Sequence, residues 1–159
     1  MMINEFLAKK IGEVIAFTRV GIDTLERAHA PLVSVLGEEK VQDILDRNRF
    51  HGEELLRIAT DGGAVDTTLQ KASKTEEKLK AMRDLYIKDE WDNPTEILEW
   101  SGFFEGAAIV HAGLIKGGAE ALGNESFMTL CEEFVQYHYE ILEMVEGELA
   151  LVGQDRATV

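Results

Sequence analysis

The sequence predicts an all-α fold, specifically a four-helix bundle made of two helical hairpins joined by a long crossover that contains an extra short helix. Apolar residues recur at steps of three and four over most of the 159 residues, which is the periodicity of amphipathic helices. No segment shows the alternation of a half-buried strand, and only two prolines interrupt the chain. The length fits one domain over residues 1–159.

The first hairpin is predicted to consist of helices over about 4–36 and 38–60. Pro31 has no amide hydrogen to donate to the preceding turn, so the first helix should kink or stop just past His29. Gly37 marks the turn between the two helices, because glycine readily adopts the backbone conformations that end a helix.

The crossover is predicted to hold a short helix over about 74–91, after a loop over 61–74. Ser73 and Glu76 have the Ser-x-x-Glu spacing of a capping box. In that motif each side chain accepts a hydrogen bond from a backbone N–H that the first helical turn leaves free. The motif therefore indicates a helix start near residue 74.

The second hairpin is predicted to consist of helices over about 94–122 and 124–152. Asn93 can cap the first of them, and a proline follows it at the position where its missing N–H costs nothing. Gly123 ends that helix, and an asparagine directly after it can cap the next one. The short turn predicts that the two helices are antiparallel neighbours.

Composition argues against two classes of partner and favours a reducing compartment. The chain carries 30 acidic and 16 basic residues, and its net charge of −14 repels nucleic acid and anionic membranes. A single cysteine, Cys131, cannot form an internal disulfide. The N-terminal segment lacks the basic start and apolar run of a secretion signal. We therefore expect a cytoplasmic protein that binds neither nucleic acid nor membranes.

All four histidines lie on the apolar stripe of a different predicted helix, and they form two similar pairs. His29 and His111 are each followed by Ala-x-Leu, whereas His51 and His138 each follow an aromatic residue and precede x-Glu-x-Leu. A buried neutral imidazole needs a hydrogen-bond partner. Several imidazoles that converge are commonly explained by a metal ion. The pattern therefore predicts a metal site inside the bundle.

The helix around His51, with the sequence DRNRFHGEEL over 46–55, resembles the second helix of the ferritin-like superfamily, which includes ferritins, rubrerythrins and related di-iron carboxylate proteins. The resemblance covers about 5–60 and 93–153. It implies a bundle in which each half supplies a Glu from one helix and a Glu-x-x-His from the next. His51 and His138 match the two histidine positions of that motif.

The chain departs from the family motif at both glutamate positions, where Asn48 and Val135 stand. These departures argue against a standard di-iron centre, which needs bridging carboxylates. Other carboxylates near the histidines include Glu26, Glu54 and Glu105, although Glu54 and Glu105 lie farther from the stripe centres. The alternative for these carboxylates is a solvated surface position. The predicted ligands of an iron, manganese or zinc ion are His51, His111 and His138, with His29, Glu26 and Glu54 as further candidates.

The helix over 94–122 is unusually rich in small residues, including Gly102, Gly106, Gly113 and Gly117. A glycine inside a helix costs about 1 kcal/mol relative to alanine, so this abundance calls for a packing reason. The preferred interpretation is a homodimer seam along this helix, and a pocket beside His111 is the second.

Two functional hypotheses follow from these patterns. The first is a ferritin-like metal-binding protein, with redox chemistry on dioxygen or peroxide as a possible oxidoreductase activity. The second is a bundle that has lost its di-iron site and acts as a structural or partner-binding homodimer. The four inward histidines favour the first hypothesis, and the missing carboxylates favour the second.

Overall fold

The computed structural model describes residues 2–158, and the helices found there confirm the all-α class. No strand occurs within this range. None of the helices within it is long and apolar enough to cross a membrane. The helices are α1 (Glu5–Arg27), α2 (His29–Leu36), α3 (Glu38–Asp61), α4 (Val65–Ile87), α5 (Pro94–Leu122) and α6 (Glu125–Ala157).

Capping interactions confirm the predicted start of each helix in the second hairpin and the turn between them, whereas α6 continues to Ala157, past the predicted end near residue 152. The side chain of Asn93 accepts a hydrogen bond from the backbone N–H of Thr95 at 3.1 Å. Asn124 accepts one from Phe127 at 3.0 Å, which starts α6. Gly123 has a positive φ of 62°, the left-handed conformation in which glycine avoids the strain of a Cβ atom. Asparagine and glycine therefore act here as the sequence predicts.

The first predicted helix is divided at Ala28, close to the predicted position. Ala28 departs from helical geometry, with φ −99° and ψ 24°, and a new helix, α2, begins at His29. Pro31 lies in the first turn of α2, where a missing N–H removes no helical hydrogen bond. The proline thus turns what could have been one long helix into two.

The crossover helix differs from the prediction, since α4 spans 23 residues and begins at Val65 rather than near residue 74. Ser73 and Glu76 lie inside α4, so the predicted capping box is wrong. The helix extends because its side chains at Thr68 and Ala72 are fully buried against α1. The hydroxyl of Thr68 also donates to the carbonyl oxygen of Ala8 on α1 at 3.1 Å.

Charged side chains tie α4 to α1 along its length. Arg83 on α4 is only 2% exposed and donates to Asp23 on α1 at 2.5 Å. Nearer the start of α4, Lys71 lies 3.2 Å from Glu13 of α1. The most extensive helix contacts of α1 are therefore with α4 rather than with α3, its predicted hairpin partner.

The remaining core brings α1, α3, α5 and α6 together. Side chains with no more than 2% exposure come from each of them, for example Phe17 of α1, Leu55 of α3, Ile115 of α5 and Phe134 of α6. The two helices of the second hairpin, α5 and α6, pack closely along their length. Helices α3 and α6 also contact each other, which places their inward side chains on either side of a common interior.

Candidate metal centre

Helices α3, α5 and α6 bring two histidines and one glutamate together in the core. His51 of α3 is 0% exposed, His138 of α6 is 1% exposed and Glu105 of α5 is 6% exposed. His51 continues the buried stripe of α3, in which Asn48 precedes it by one turn and Leu55 follows it by another. The regular helical spacing of that stripe is what directs the imidazole inward.

Glu105 and His138 form the closest pair of the cluster. The Nδ1 atom of His138 is in hydrogen-bond contact with Oε2 of Glu105, and because an ionised carboxylate can only accept, Nδ1 carries the proton. The pairing fixes the orientation of the ring and leaves Nε2 facing away from the glutamate. His138 Nε2 is buried and has no hydrogen-bond partner. A carboxylate behind an imidazole is the usual way in which proteins orient a metal-binding histidine.

His51 is buried with neither of its ring nitrogens hydrogen-bonded. Burial lowers its pKa to about 4, with repulsion from His138 and Arg47 as smaller causes. The ring is therefore neutral at physiological pH, and one of its nitrogens has a free lone pair. Its centre lies 6.3 Å from the centre of the His138 ring.

Aromatic side chains of α6 enclose the two imidazoles. Phe134 stacks on His138 with 4.1 Å between ring centres, and it lies 5.2 Å from His51. The Tyr137 ring is 6.0 Å from both imidazoles. Its hydroxyl donates to Asp43 at 2.9 Å, and burial raises the pKa of this phenol. The free imidazole nitrogens enclosed in this way have no contact with bulk solvent.

The structure does not bring the other two histidines to this cluster. The side chains of His29 and His111 are 44% and 40% exposed, so the expectation that all four are buried is wrong for these two. His29 follows the break at Ala28 and lies 3.2 Å from Glu38, across the turn into α3. His111 lies beside the buried stripe of α5, and its Nδ1 donates to the carbonyl oxygen of Ala107 at 2.8 Å.

The two predicted carboxylate ligands also lie away from the imidazole pair. Glu26 is on the surface and pairs with Arg49 at 3.3 Å. Glu54 pairs with Arg57 at 2.8 Å. Both lie outside the stripes that turn inward, so their charges remain hydrated and paired with exposed arginines.

Sequence reasoning underestimated Glu105, which was placed away from the stripe centre and is in fact buried against His138. One signal could have found it. Within residues 101–115 of α5, Glu105 is the single charged residue. A lone carboxylate in an otherwise uncharged helical run is seldom buried without a partner.

No family model, curated protein or solved structure matches this chain. The ferritin-like resemblance therefore remains a prediction from the motifs around His51 and His138. Within residues 2–158, no three histidine, cysteine, aspartate or glutamate side chains are arranged as a preformed metal-binding group. The cluster consists of two imidazoles, one of them paired with a carboxylate.

Proposed function

We propose that this chain is a ferritin-like metal-binding protein in which His51 and His138 hold a single transition-metal ion. One observation carries the proposal: three imidazole nitrogens in the same part of the core are buried without a hydrogen-bond partner. The large majority of buried side-chain polar atoms in proteins have a hydrogen-bond partner, so three unsatisfied nitrogens in one place need an explanation. A metal ion accounts for one nitrogen of each ring, which is two of these three nitrogens.

The spacing and chemistry of the donors are compatible with one ion. A metal–nitrogen bond of ~2.1 Å places an ion ~3.2 Å from the centre of each imidazole that binds it. The observed 6.3 Å between the two ring centres lies just within the sum of two such distances, so one ion would bridge the rings with its two nitrogen bonds nearly opposite each other. With only one carboxylate in the cluster, the donor set favours an imidazole-preferring ion such as zinc or iron over manganese, and one ion over a pair.

The protein's own residues would orient and shield the ion. Glu105 holds the ring of His138 through Nδ1, so that Nε2 faces the interior. Phe134 covers both imidazoles and excludes solvent. When bound with open coordination positions, an iron or manganese ion supplies redox chemistry on dioxygen or peroxide, and a zinc ion acts as a Lewis acid.

The test measures metal content and metal affinity in matched histidine variants. Purified protein is stripped with a chelator and titrated with Zn²⁺, Fe²⁺ and Mn²⁺ by calorimetry, the iron titration being done without oxygen. His51→Ala and His138→Ala each remove one imidazole of the cluster. His29→Ala and His111→Ala remove imidazoles that are half exposed and outside the cluster, so they serve as controls.

We expect one ion per chain in the wild type and in both control variants, and loss of that ion in both cluster variants. Equal binding by all five proteins would assign the ion to the acidic surface and contradict the proposal. Absence of binding in the wild type would contradict it as well. Glu105→Gln should retain the ion with about 10-fold to 100-fold weaker affinity, because it weakens only the group behind the ligand.

A second candidate function, a structural or partner-binding homodimer, is favoured by the exposed face of α5. Val110 and Phe103 on this face are 72% and 65% exposed. A Cβ atom added at Gly106 or Gly113 would meet nothing within 4 Å, so these glycines serve no close packing within the chain. An uncharged face of this kind on a protein with net charge −14 is suited to contact with a second copy.

Sedimentation equilibrium tests the dimer independently of the metal. Val110→Glu places a charge in the centre of the α5 face and should convert a dimer to a monomer. Leu85→Glu is the comparison variant, because Leu85 is 75% exposed and lies on α4 rather than on α5. A wild-type monomer, or equal weakening by both substitutions, would contradict a seam along α5.

A further inference from the structure

Beside the imidazole cluster lies a cavity of about 40 Å³ whose wall is mostly apolar. Leu98 and Trp100 of α5 and Ile141 of α6 form part of the wall. Asn48 and Glu105 interrupt it with polar groups, although they are only 3% and 6% exposed. Glu105 therefore contacts His138 and also lines the cavity, whereas the two histidine rings do not line it.

The two most deeply buried polar side chains of this cavity, Asn48 and Glu105, present acceptors to it. The amide nitrogen of Asn48 already donates to the carbonyl oxygen of Ile44 at 2.9 Å, while its Oδ1 is buried without a partner. Exchanging the nitrogen and oxygen of this amide would set Oδ1 against that carbonyl, so the assignment is secure. Glu105 contributes a carboxylate, which also accepts.

The two hydroxyl groups in the wall have no hydrogen free to donate to a ligand. Ser101 donates its hydroxyl hydrogen to the carbonyl oxygen of Ile97 at 2.8 Å. Thr24 donates to the carbonyl oxygen of Val20 at 2.7 Å. Both hydrogens are thus used within their own helices. A molecule in the cavity must itself be the donor to satisfy Asn48.

Asn48 is shared between this cavity and a neighbouring groove. Its side chain lines a second space, an open groove between α1 and α3 that includes Thr18 and Gly52. A Cβ atom added at Gly21 on α1 would lie 3.2 Å from Oδ1 of Asn48, so the absence of a side chain there leaves room for the amide. The Oδ1 atom of Asn48 is therefore held close to α1 without a hydrogen-bond donor.

We propose that this cavity is a binding site for a small uncharged molecule that donates an O–H hydrogen bond to Asn48, with the carboxylate of Glu105 as a second acceptor in the wall. At ~10–15 Å³ for each water-sized group, the volume accommodates about three such groups. The ligand class is therefore water or a short-chain alcohol. The proposal is based on the cavity and does not require the metal site.

Nuclear magnetic resonance of the metal-free protein tests the site with two probes, solvent water and ¹³C-labelled methanol. Water in the cavity gives cross-relaxation to the methyl groups of Leu98 and Ile141. Bound methanol gives saturable cross-peaks to the same methyl groups. Asn48→Leu removes the acceptor with little change in side-chain size. Ser101→Ala is the control, since it also lines the cavity but removes a hydroxyl that is already bonded within α5.

We expect binding in the wild type and in Ser101→Ala, and about tenfold weaker methanol binding in Asn48→Leu. Gly21→Ala keeps the acceptor but crowds it, and should also weaken methanol binding while the protein stays folded. Water cross-peaks without methanol binding would identify water as the occupant. A dry cavity that excludes methanol, or equal binding in Asn48→Leu and the wild type, would overturn the proposal.

Discussion

His51 should make the stability of the metal-free protein depend on pH. Burial lowers the pKa of this imidazole from 6.5 to about 4, and His138 and Arg47 contribute smaller repulsions. The unfolded chain takes up a proton on His51 as the pH falls through about 6.5, whereas the folded chain resists protonation until about pH 4. The stabilisation due to the neutral ring is therefore complete above pH 6.5 and is lost progressively as the pH falls to 4.

The size of this effect follows from the width of that pH window. Each pH unit over which only the unfolded state holds the extra proton costs ~1.4 kcal/mol of unfolding free energy. From pH 6.5 to 4 the loss is about 3 kcal/mol, an order-of-magnitude value. With a urea dependence of ~1–3 kcal/mol per molar, the unfolding midpoint should fall by about 1–3 M from this group alone.

The assay is urea unfolding at several pH values between 7 and 4, with chelator present. His51→Leu removes the titrating group and should flatten the pH dependence relative to the wild type by about 3 kcal/mol across this window. His29→Leu is the control, because the His29 side chain is 44% exposed. Identical pH dependence in His51→Leu and the wild type would refute the assignment of His51 as a buried neutral imidazole.

Three further predictions concern the packing of the helices. Gly12→Ala should lower the free energy of unfolding by about 1–3 kcal/mol, measured by urea unfolding, because the new methyl group would overlap the carbonyl oxygen of Thr68 on α4. An unchanged urea midpoint would contradict the close approach of α1 and α4 at Gly12. Arg83→Met should lower the free energy of unfolding by about 1–3 kcal/mol, because it breaks a buried ion pair but leaves the Asp23 carboxylate 41% exposed to water. A free energy of unfolding equal to that of the wild type would show that the ion pair does not stabilise the fold. Burial raises the pKa of the Cys131 thiol to about 12. Iodoacetamide at pH 8 should therefore modify this thiol only when the protein is unfolded in denaturant. Rapid modification of the folded protein would contradict the burial of Cys131.

Local features of the chain could be predicted because their causes are local. The caps at Asn93 and Gly123 and the break near Pro31 depend on hydrogen bonds and backbone preferences within a few residues. The start of α4 could not be predicted in this way. Ser73 and Glu76 offered a plausible local start, but burial of α4 against α1 moves the start of the helix about two and a half turns earlier, to Val65.

The candidate site shows the same division between local and tertiary causes. His51 and His138 could be identified because each continues the regular apolar spacing of its own helix. His29 and His111 share that spacing nearly as well, yet they are half exposed. Glu105 lies away from the centre of the apolar stripe of its helix, yet it is buried. Its partner, His138, is 33 residues away and on another helix, so the spacing within α5 does not reveal the contact.

The sequence by itself determined the helical class, most of the helix ends and the presence of two inward imidazoles. Helix periodicity and capping act over one or two turns, and both can be read along a single chain. Only the tertiary structure decided which side chains meet, because the rotation of each helix about its axis and the helix it packs against depend on the whole core. That packing placed Glu105 behind His138, left Asn48 facing a cavity, and turned His29 and His111 towards solvent.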